Sequence, residues 1–584
     1  MEAIQKKIKP YLQALPEMFV YQMATKIILG VWLFLLGRIF QLLLRSSGRV
    51  AVTSGDFMFL FTTWQGILIL LLGIVSLFVY VAFDLNTKVV LCRNIVTGKS
   101  MPLEDSFREG FRSMKKLIDI RGLLVVIYIA LVAPVLGIGL SVTATRNFYI
   151  PTFIAVAIED SVLYSVLSLL AIIILLAVGI GNLFILHGIV IDGLSIGDAS
   201  RQSRKLIKEN WKDYIKQNLL FIVTISCLIA VLAAVFLFLP LKLIDMLLPA
   251  GPVCRFLTVL FVTSGVIISA LSALFAVPLY LMKMTQLFYS YKEGKPFEYA
   301  GITRERQLGY KKWFFVVLIA VLGCVVVTDV YFDQLFPEET TVKIIAHRAG
   351  GYEAPENTVA GIEAAWRAGA YGSEIDIQRT KDGYYVVNHD GTFKRTAGDS
   401  RKPEEMTLKE VKQLSVDGEH VATFEEMLIA CKGKLVLFTE LKGNTCDKKM
   451  AEDAVALVKQ YKMEDECVLI SLQYDVIDYI ETNYPEMQTG FLAFASFGDT
   501  AGLNCDYLAL EEESSTSDTV KNIHDEGKQA LVWTVNKKGS QKHFLCSNVD
   551  GIITDNPSQA AEVAMNLSHR SDIDRMVDKI KTVF

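Results

Sequence analysis

The sequence predicts a multi-span α-helical membrane domain over residues 1–332, an α/β domain with a (β/α)8 TIM-barrel fold over residues 342–565, and a C-terminal tail over residues 566–584. Three observations lead to this prediction. The first part of the chain contains seven long apolar stretches. The second part alternates short apolar runs with amphipathic helical patterns, and the net charge changes sign between the two parts.

Charge separates the two parts of the 584-residue chain clearly. Residues 1–332 carry 31 Lys and Arg against 19 Asp and Glu, a net charge of +12, whereas the remaining residues carry 27 against 43, a net charge of −16. A basic, apolar region is suited to contact with anionic membrane lipids. The acidic second part excludes nucleic acid as a partner, because binding a phosphate backbone requires a positive surface.

The seven apolar stretches are each long enough for a helix that crosses a bilayer, which takes about 20 residues. They are Ala24–Leu44, Phe57–Phe83, Leu123–Thr143, Tyr164–Ile191, Leu219–Leu239, Phe256–Leu281 and Trp313–Tyr331. Ionisable residues such as His187 form no continuous chain through these stretches. We therefore expect the domain to anchor the protein or to hold a lipid-like substrate rather than to transport one.

The segments between the stretches predict the orientation in the membrane. They carry three Lys and Arg residues before the first stretch, and then two, eight, one, six, two and seven. Cytoplasmic loops hold the excess of these residues, so the alternation places the N-terminus in the cytoplasm. Seven crossings then put every residue after Tyr331 outside the cell, and we expect a multi-pass cell-membrane protein with an extracellular barrel.

Nine short apolar runs in the second part are candidate strands. They are "VKIIA", "GSEIDI", "YYVV", "KLVLFTEL", "CVLIS", "QTGFLA", "DYLAL", "ALVWTV" and "DGIITD", and helical patterns such as "TVAGIEAAWRAG" lie between them. Alternating strands and helices are typical of a parallel α/β fold. The number of strands favours a (β/α)8 barrel, in which functional groups lie at the C-terminal ends of the strands.

Three carboxylates fall at such strand ends. Glu374 and Asp376 occupy alternate positions of "SEIDI", so their side chains point to one face, and Glu440 lies near the end of "LVLFTEL". Carboxylates that converge at a barrel mouth repel one another unless a hard divalent cation binds them. We therefore predict that these three residues are metal ligands. The alternative, in which they pair only with Arg348 and Lys442, stays open at this point.

Two histidines and two cations follow other strands of the same set. His347 and Arg348 come directly after "KIIA", His389 follows "YYVVN", and Lys442 lies two residues beyond Glu440. Imidazoles titrate near neutral pH and serve as an acid–base pair, whereas Arg and Lys suit the oxygens of a phosphate. Together with a divalent cation, these groups predict cleavage of a phosphodiester.

The segments "HRAGGYEAPENT", "GSEIDIQRTKDGYYVVNHD", "FTELKG", "VWTVN" and "DGIITDNP" resemble the glycerophosphodiester phosphodiesterase family. The apolar first part is similar to the membrane domain that precedes the catalytic domain in some bacterial members. The resemblance implies a (β/α)8 barrel that hydrolyses glycerophosphodiesters to glycerol phosphate and an alcohol.

The resemblance also implies roles for individual residues. It implies Ca2+ or Mg2+ on Glu374, Asp376 and Glu440, His347 and His389 as acid and base, Arg348 and Lys442 on the phosphate, and Trp533 in the lining of the substrate pocket. One position departs from the family pattern, which has glycine where this chain has Ala349. We expect Gly350 to supply the left-handed backbone that glycine adopts freely.

The leading hypothesis is therefore a membrane-anchored, outward-facing, metal-dependent phosphodiesterase. Its substrate would be a glycerophosphodiester, which includes lipid head groups and glycerol-phosphate polymers. One alternative is a phospholipase D-like lyase that releases a cyclic phosphate. Another is a non-catalytic sensor or transporter that only binds glycerophosphodiesters, although a binding protein needs no acid–base pair.

Overall fold

The computed structural model describes residues 2–49, 51–53, 58–99, 101–118, 121–123, 161–249, 251–297, 299, 310–493, 496–498 and 500–583. The chain forms two compact units. The first comprises Met1–Ile39 and Ile67–Val330, and the second comprises Phe40–Gly66 and Tyr331–Phe584. The domain bounds 1–332, 342–565 and 566–584 remain predictions.

The helices that build the first unit confirm the predicted multi-span α-helical membrane domain. They are Glu2–Ser46, Trp64–Thr97, Leu103–Met114, Val162–Gly181, Ile185–Val190, Ile196–Ala233, Leu239–Leu247, Pro252–Glu293 and Tyr310–Val330, with a 3-10 helix at Lys115–Leu117 and a π-helix at Ala234–Phe238. Within the described residues, five segments are long and apolar enough to cross a membrane, namely Ala14–Ser46, Trp64–Thr97, Val162–Val190, Ile196–Leu247 and Pro252–Glu293. A shorter apolar segment is Ile319–Val330. The predicted stretch Leu123–Thr143 lies almost entirely outside the described residues, so the number of seven crossings stays a prediction.

Burial explains why these helices need a membrane. Protein covers between 0% and 28% of the most apolar part of each of the five segments. Hydrocarbon must cover the remainder, because water disfavours so large an apolar surface. Some of the buried polar groups pair inside the unit. Asp84 accepts hydrogen bonds from Tyr21 at 2.9 Å and Lys88 at 2.6 Å, and His187 Nε2 lies 3.1 Å from Thr285 Oγ1.

Among its described residues, the second unit has thirteen strands in three sheets. The strands are β1 (Ala51–Thr53), β2 (Lys343–Ala346), β3 (Gly372–Arg379), β4 (Tyr385–Val387), β5 (Ser415–Val416), β6 (Glu419–His420), β7 (Val436–Leu441), β8 (Cys467–Ser471), β9 (Gln488–Ala493), β10 (Ser496–Gly498), β11 (Tyr507–Glu511), β12 (Gln529–Trp533) and β13 (Gly551–Thr554). Around the barrel the order is β2, β13, β12, β11, β9, β8, β7 and β3, and β3 pairs again with β2. These eight parallel strands close the predicted (β/α)8 barrel and confirm it, while β4 pairs antiparallel with β3.

Helices surround the barrel and fill most of the connections between its strands. They are Phe332–Leu335, Val359–Arg367, Lys394–Ala397, Leu408–Val411, Phe424–Cys431, Lys448–Tyr461, Tyr474–Asn483, Ser517–Asp525, Lys538–Leu545, Pro557–Leu567 and Asp572–Val583, with 3-10 helices at Gly351–Glu353, Pro403–Glu405, Thr500–Gly502 and Glu512–Ser514. The unit also includes the short helix Phe59–Thr62.

Alternation along the strands separates the inside of the barrel from the outside. The inner cluster consists of Ile345, Phe438, Val468, Ile470, Leu492, Tyr507, Ala509, Leu531 and Ile553. The residues between them, such as Leu508 and Leu510 on β11, pack in a separate cluster with the surrounding helices. Because side chains alternate along a strand, the next inward position beyond this inner cluster lies at the C-terminal mouth of the barrel.

A strand from the segment between the first two membrane helices joins the barrel unit. β1 pairs antiparallel with β10, with Ala51 opposite Gly498 and Thr53 opposite Ser496. Ala51 also packs in the apolar cluster that covers β9 and β11. Since β10 follows the C-terminal end of β9, this pairing lies on the mouth side of the barrel.

The C-terminal residues form a helix that holds the segment preceding β2. Arg575, on the helix Asp572–Val583, is only 4% exposed. Its guanidinium donates to Asp333 Oδ1 at 2.8 Å and to the Phe336 carbonyl at 2.7 Å, and it lies 5.0 Å above the ring of Phe332. These charge-assisted bonds tie the two ends of the unit together.

The loop after β2 has a left-handed backbone at a non-glycine residue. Ala349 has a φ of +74°, whereas Gly350 has a φ of −118°. The expectation that Gly350 supplies this conformation is therefore wrong. Ala349 is held in place because its N–H donates to the Glu374 carbonyl at 2.5 Å and its carbonyl accepts from Ser373 Oγ at 2.7 Å. Gly350 is required for a steric reason, because a Cβ at this position would lie only 2.8 Å from Gly361 Cα.

Replacing Ala349 by glycine should stabilise the protein. An alanine with positive φ costs about 1 kcal/mol relative to glycine. We expect Ala349→Gly to raise the midpoint of thermal unfolding of the detergent-solubilised full-length protein. The matched control, Ala364→Gly in the helix Val359–Arg367, makes the same chemical change at a helical position and should lower that midpoint. A lower midpoint for Ala349→Gly would contradict the assigned strain.

Candidate active site

Seven of the eight residues singled out in the sequence lie towards the C-terminal ends of the barrel strands, and the eighth, His389, follows β4, which pairs with β3. His347 follows β2, Glu374 and Asp376 lie on β3, Glu440 is near the end of β7, and Trp533 is the last residue of β12. Arg348 follows His347, His389 comes two residues after β4, and Lys442 directly follows β7. The closure of the barrel therefore brings to one mouth residues that are up to 186 positions apart in the chain (347 to 533).

Three buried carboxylates form the centre of this mouth. Glu374, Asp376 and Glu440 are 4%, 1% and 6% exposed, and each offers an oxygen within 4.8 Å of the others. The register of β3 and β7 sets this proximity, because it places Asp376 beside Glu440. Buried oxygen ligands of this number and charge fit a hard divalent cation such as Ca2+ or Mg2+.

The cost of burying the three charges appears in their pKa values. Burial and repulsion from Asp376 and Glu440 raise the pKa of Glu374 well above its usual range. Burial is also the main reason that the pKa of Glu440 rises to about 8. Burial acts in the same direction on Asp376, but Lys442, His389 and Asn357 outweigh it and lower the pKa of that carboxyl. Asp376 therefore stays charged, and its two neighbours favour a compensating proton or cation.

Only one of the two expected cations contacts the triad with its side chain. Lys442 Nζ lies 3.0 Å from Asp376 Oδ1 and 3.2 Å from Glu440 Oε2. Burial lowers the pKa of this ammonium, but the neighbouring carboxylates raise it further, so it stays charged. The Arg348 guanidinium instead pairs with Glu356 at 3.2 Å, and only its backbone N–H donates to Glu374, at 2.9 Å. The alternative in which both cations neutralise the triad is therefore wrong for Arg348.

The imidazole of His347 lies between two carboxylates. Its Nδ1 donates to Asp555 Oδ1 at 2.7 Å, and its Nε2 lies 3.9 Å from Glu374 Oε2. Asp555 also accepts from Asn536 Nδ2 at 2.6 Å. Burial raises the pKa of Asp555, but the bonds to His347 and Asn536 outweigh it and keep the carboxyl ionised. The Nδ1 contact fixes the ring and leaves Nε2 directed towards the triad.

His389 has the same arrangement with a different carboxylate. Its Nδ1 donates to Asp390 Oδ1 at 2.8 Å. The hydrogen bond from Arg395 is the main reason that the pKa of Asp390 falls to about 2. Burial lowers the pKa of His389 below its usual value, and this outweighs the opposing effect of Asp376. The imidazole of His389 is therefore neutral at neutral pH.

The side chain of Arg348 has a donor to spare. The carboxylate of Glu356 accepts a hydrogen bond from Arg348 and two more from Arg395, at 2.8 and 2.7 Å. Within the described part of the chain, the buried Nε of Arg348 has no hydrogen-bond partner. A buried N–H without a partner costs free energy, so this atom is suited to an anionic ligand.

Three residues that support this arrangement were not singled out from the sequence. Asn357 donates from Nδ2 to Asp376 Oδ2 at 3.0 Å, and Glu356 and Arg395 link the two histidine loops. Asn357 has a φ of +58°, a conformation that asparagine tolerates better than most residues. Its place in "PENT", two residues after Pro355, is the signal that could have revealed it. Arg395 carries no comparable signal, because it lies outside any strand end.

Comparison with known proteins indicates the same family as the sequence motifs. Residues 347–559 match the model of the glycerophosphoryl diester phosphodiesterase family, and residues 4–331 match that of the membrane domain of glycerophosphoryl diester phosphodiesterase. The second match alone covers more than half of the chain.

Three individual relatives each match about two fifths of the chain. A glycerophosphodiester phosphodiesterase of Caldanaerobacter subterraneus is 29% identical over 233 residues, which cover 37% of this chain and 94% of that protein. The putative glycerophosphodiester phosphodiesterase YhdW of Bacillus subtilis is 28% identical, with coverage of 37% and 94%. A crystal structure of a Parabacteroides distasonis glycerophosphodiester phosphodiesterase is 26% identical, with a TM-score of 0.36 and coverage of 39% and 98%.

The two family-model matches confirm the family resemblance that the motifs predicted for the second part of the chain and for the membrane domain before it. The chain belongs to the glycerophosphoryl diester phosphodiesterase family, carries the membrane domain of that family ahead of the catalytic domain, and is an enzyme of the phosphoric diester hydrolase type.

Proposed function

We propose that the protein is a metal-dependent phosphodiesterase that hydrolyses glycerophosphodiesters to glycerol phosphate and an alcohol at the outer face of the cell membrane. The observation that carries this proposal is the buried triad of Glu374, Asp376 and Glu440 between two imidazoles. Each imidazole is oriented through Nδ1 by its own carboxylate. Such a constellation serves bond cleavage and is more than a binding site requires.

The triad would hold the divalent cation, Ca2+ or Mg2+. When bound, that cation polarises a phosphoryl oxygen and offsets the negative charge that develops during cleavage. Lys442, which already bridges Asp376 and Glu440, would contact the same phosphate from the protein side. Arg348 would contribute its unpartnered Nε to another non-bridging oxygen. Trp533, at the end of β12, would line the pocket for the organic part of the substrate.

The two histidines would divide the proton transfers between them. His389 is neutral at neutral pH and would accept the proton of the attacking hydroxyl, either from water or from the glycerol itself. His347 lies between Asp555 and Glu374, and its Nδ1 contact with Asp555 leaves Nε2 on the side of the triad. His347 would donate a proton to the oxygen of the leaving alcohol as the bond from phosphorus to oxygen breaks. If the glycerol attacks, water then opens the cyclic phosphate with the roles reversed.

Two observations support an outward-facing barrel. The alternation of Lys and Arg predicts that the segment between the first two membrane helices lies outside, as the barrel does. The pairing of β1 with β10 supports a topology in which this segment and the barrel share one side of the membrane. The charge pattern and the strand pairing, which are independent, therefore support the same topology.

Removal of divalent metal should abolish the activity. We expect the full-length protein in detergent to release glycerol phosphate from glycerophosphocholine, to lose this activity with EDTA, and to regain it with Ca2+ or Mg2+. Glu440→Gln should raise the metal concentration for half-maximal activity by about tenfold or more. The control Asp465→Asn, at an exposed site, should behave as the wild type.

The products and one variant separate the alternatives. A cyclic phosphate as the final product would favour the lyase. A sensor or transporter would bind glycerophosphocholine without turnover, and His347→Ala would then change nothing, whereas an enzyme should lose about 100-fold or more in kcat.

The pH dependence should follow His389. This residue must be neutral to accept a proton, and its pKa lies below 6.5, so activity should fall only as the pH drops below about 6.5.

The hydrogen bond from His389 to Asp390 raises the pKa of the imidazole. Asp390→Asn should therefore shift the acidic limb of the profile of kcat against pH to lower pH, and it should reduce kcat by about tenfold because the ring loses its orientation. Asp399→Asn, an acid of the same loop that pairs with Arg401, should leave the profile unchanged. A limb that moves to higher pH with Asp390→Asn would exclude His389 as the base.

Labelling in intact cells should reveal the orientation. Ser568→Cys places a thiol on the exposed surface of the barrel unit, and Lys205→Cys places one in the basic segment before the fifth predicted stretch. In a background without the exposed thiols Cys227 and Cys324, an impermeant maleimide should label the first variant in intact cells. It should label the second only after permeabilisation. The reverse pattern would place the barrel in the cytoplasm.

A further inference from the structure

We infer that Glu511, together with Trp533, selects the alcohol half of the substrate and favours glycerophosphodiesters whose alcohol carries a positive charge. This inference rests on the proposed function. It concerns a residue that lies outside the metal triad and outside the two histidine loops.

Strand geometry directs Glu511 into the mouth of the barrel. Glu511 is the last residue of β11, and it is 6% exposed. On the same strand Tyr507 and Ala509 belong to the inner cluster, whereas Leu508 and Leu510 pack on the outside with the helices. Alternation then gives Glu511 the inward orientation, one layer above Ala509.

Trp533 is the neighbour of Glu511 on the next strand. The parallel register of β11 and β12 pairs the two residues directly. Trp533 also packs against the inner cluster, and its indole Nε1 donates to the Ala509 carbonyl at 3.0 Å. This bond fixes the indole against β11, the strand that carries Glu511. An aromatic ring next to a carboxylate is the combination that binds ammonium groups, through cation–π attraction and through charge.

The order of the strands places this pair across the mouth from the metal triad. In the closed barrel, β11 is separated from β3 by four steps in either direction. Glu374 and Asp376 lie on β3, and Lys442 lies beside them after β7. A phosphodiester bound at the triad would therefore extend one of its ester arms towards Glu511.

The distribution of charge decides which arm fits there. The side of the mouth that would hold the phosphate carries the cations Arg348 and Lys442, and the opposite side carries the carboxylate of Glu511. A zwitterion with a phosphate at one end and an ammonium at the other matches this polarity. A diester with a neutral alcohol would keep the interaction of its phosphate with the cations but would lack the interaction with Glu511. An anionic alcohol would be repelled by that carboxylate.

The test compares substrates that differ in the charge of the alcohol. The full-length protein in detergent, with its activating divalent cation, is assayed on glycerophosphocholine, glycerophosphoethanolamine and glycerophosphoglycerol. We expect Glu511→Gln to lower kcat/KM for the two cationic alcohols about tenfold more than for the neutral one, chiefly through KM. The control Glu526→Gln, at an exposed site just beyond the helix Ser517–Asp525, should leave all three values as in the wild type.

An equal loss on all three substrates would mean that Glu511 only supports the fold of the mouth, and the inference would fail. Hydrolysis of none of the three by the wild type would instead overturn the proposed function itself.

A second measurement needs no variant and covers the case in which Glu511→Gln does not fold. Choline should inhibit hydrolysis of glycerophosphoglycerol by the wild type competitively, at about one tenth of the concentration needed for dimethylbutanol, its uncharged isostere. Equal inhibition by the two compounds would contradict selection by charge.

Discussion

The site depends on one constraint, the burial of three carboxylates at the mouth of a closed barrel. The register of β3 and β7 sets Asp376 beside Glu440, and Glu374 lies two residues earlier on the same face. Burial of like charges is unfavourable unless other groups compensate it. Lys442 and Asn357 stabilise Asp376, and the backbone N–H of Arg348 binds Glu374. These contacts leave Glu374 and Glu440 with raised pKa values, which is the state that a divalent cation would relieve.

The remaining charges of the mouth are ordered around that centre. Two imidazoles, His347 and His389, are each held by a carboxylate, and the environments of the two rings differ. Burial keeps His389 neutral, whereas His347 lies between two acidic groups. A neutral imidazole such as that of His389 is suited to accept a proton. Charge also differs between the two sides of the mouth. One side is cationic and suits phosphate, whereas the other side, at Glu511, is acidic and aromatic.

Backbone strain accompanies the functional loop. Ala349 adopts a left-handed conformation next to Arg348, although glycine would adopt it at lower cost. Its N–H and carbonyl are both bonded to the start of β3, so the loop that carries His347 and Arg348 is anchored to the strand that carries the triad. This connection couples the position of the histidine to that of the carboxylates.

The sequence by itself determined the fold class, the eight barrel strands and the main polar residues, because these depend on local patterns. Apolar runs predict strands, and polar residues that end such runs lie at a barrel mouth whatever the details of packing. Only the tertiary structure decided which polar groups pair with each other. Strand register and barrel closure decide the ion pair of Arg348 with Glu356, the pairing of β1 with β10, and the position of Glu511 opposite Trp533. Sequence periodicity does not predict these contacts, because the residues in each contact become neighbours only in the folded chain.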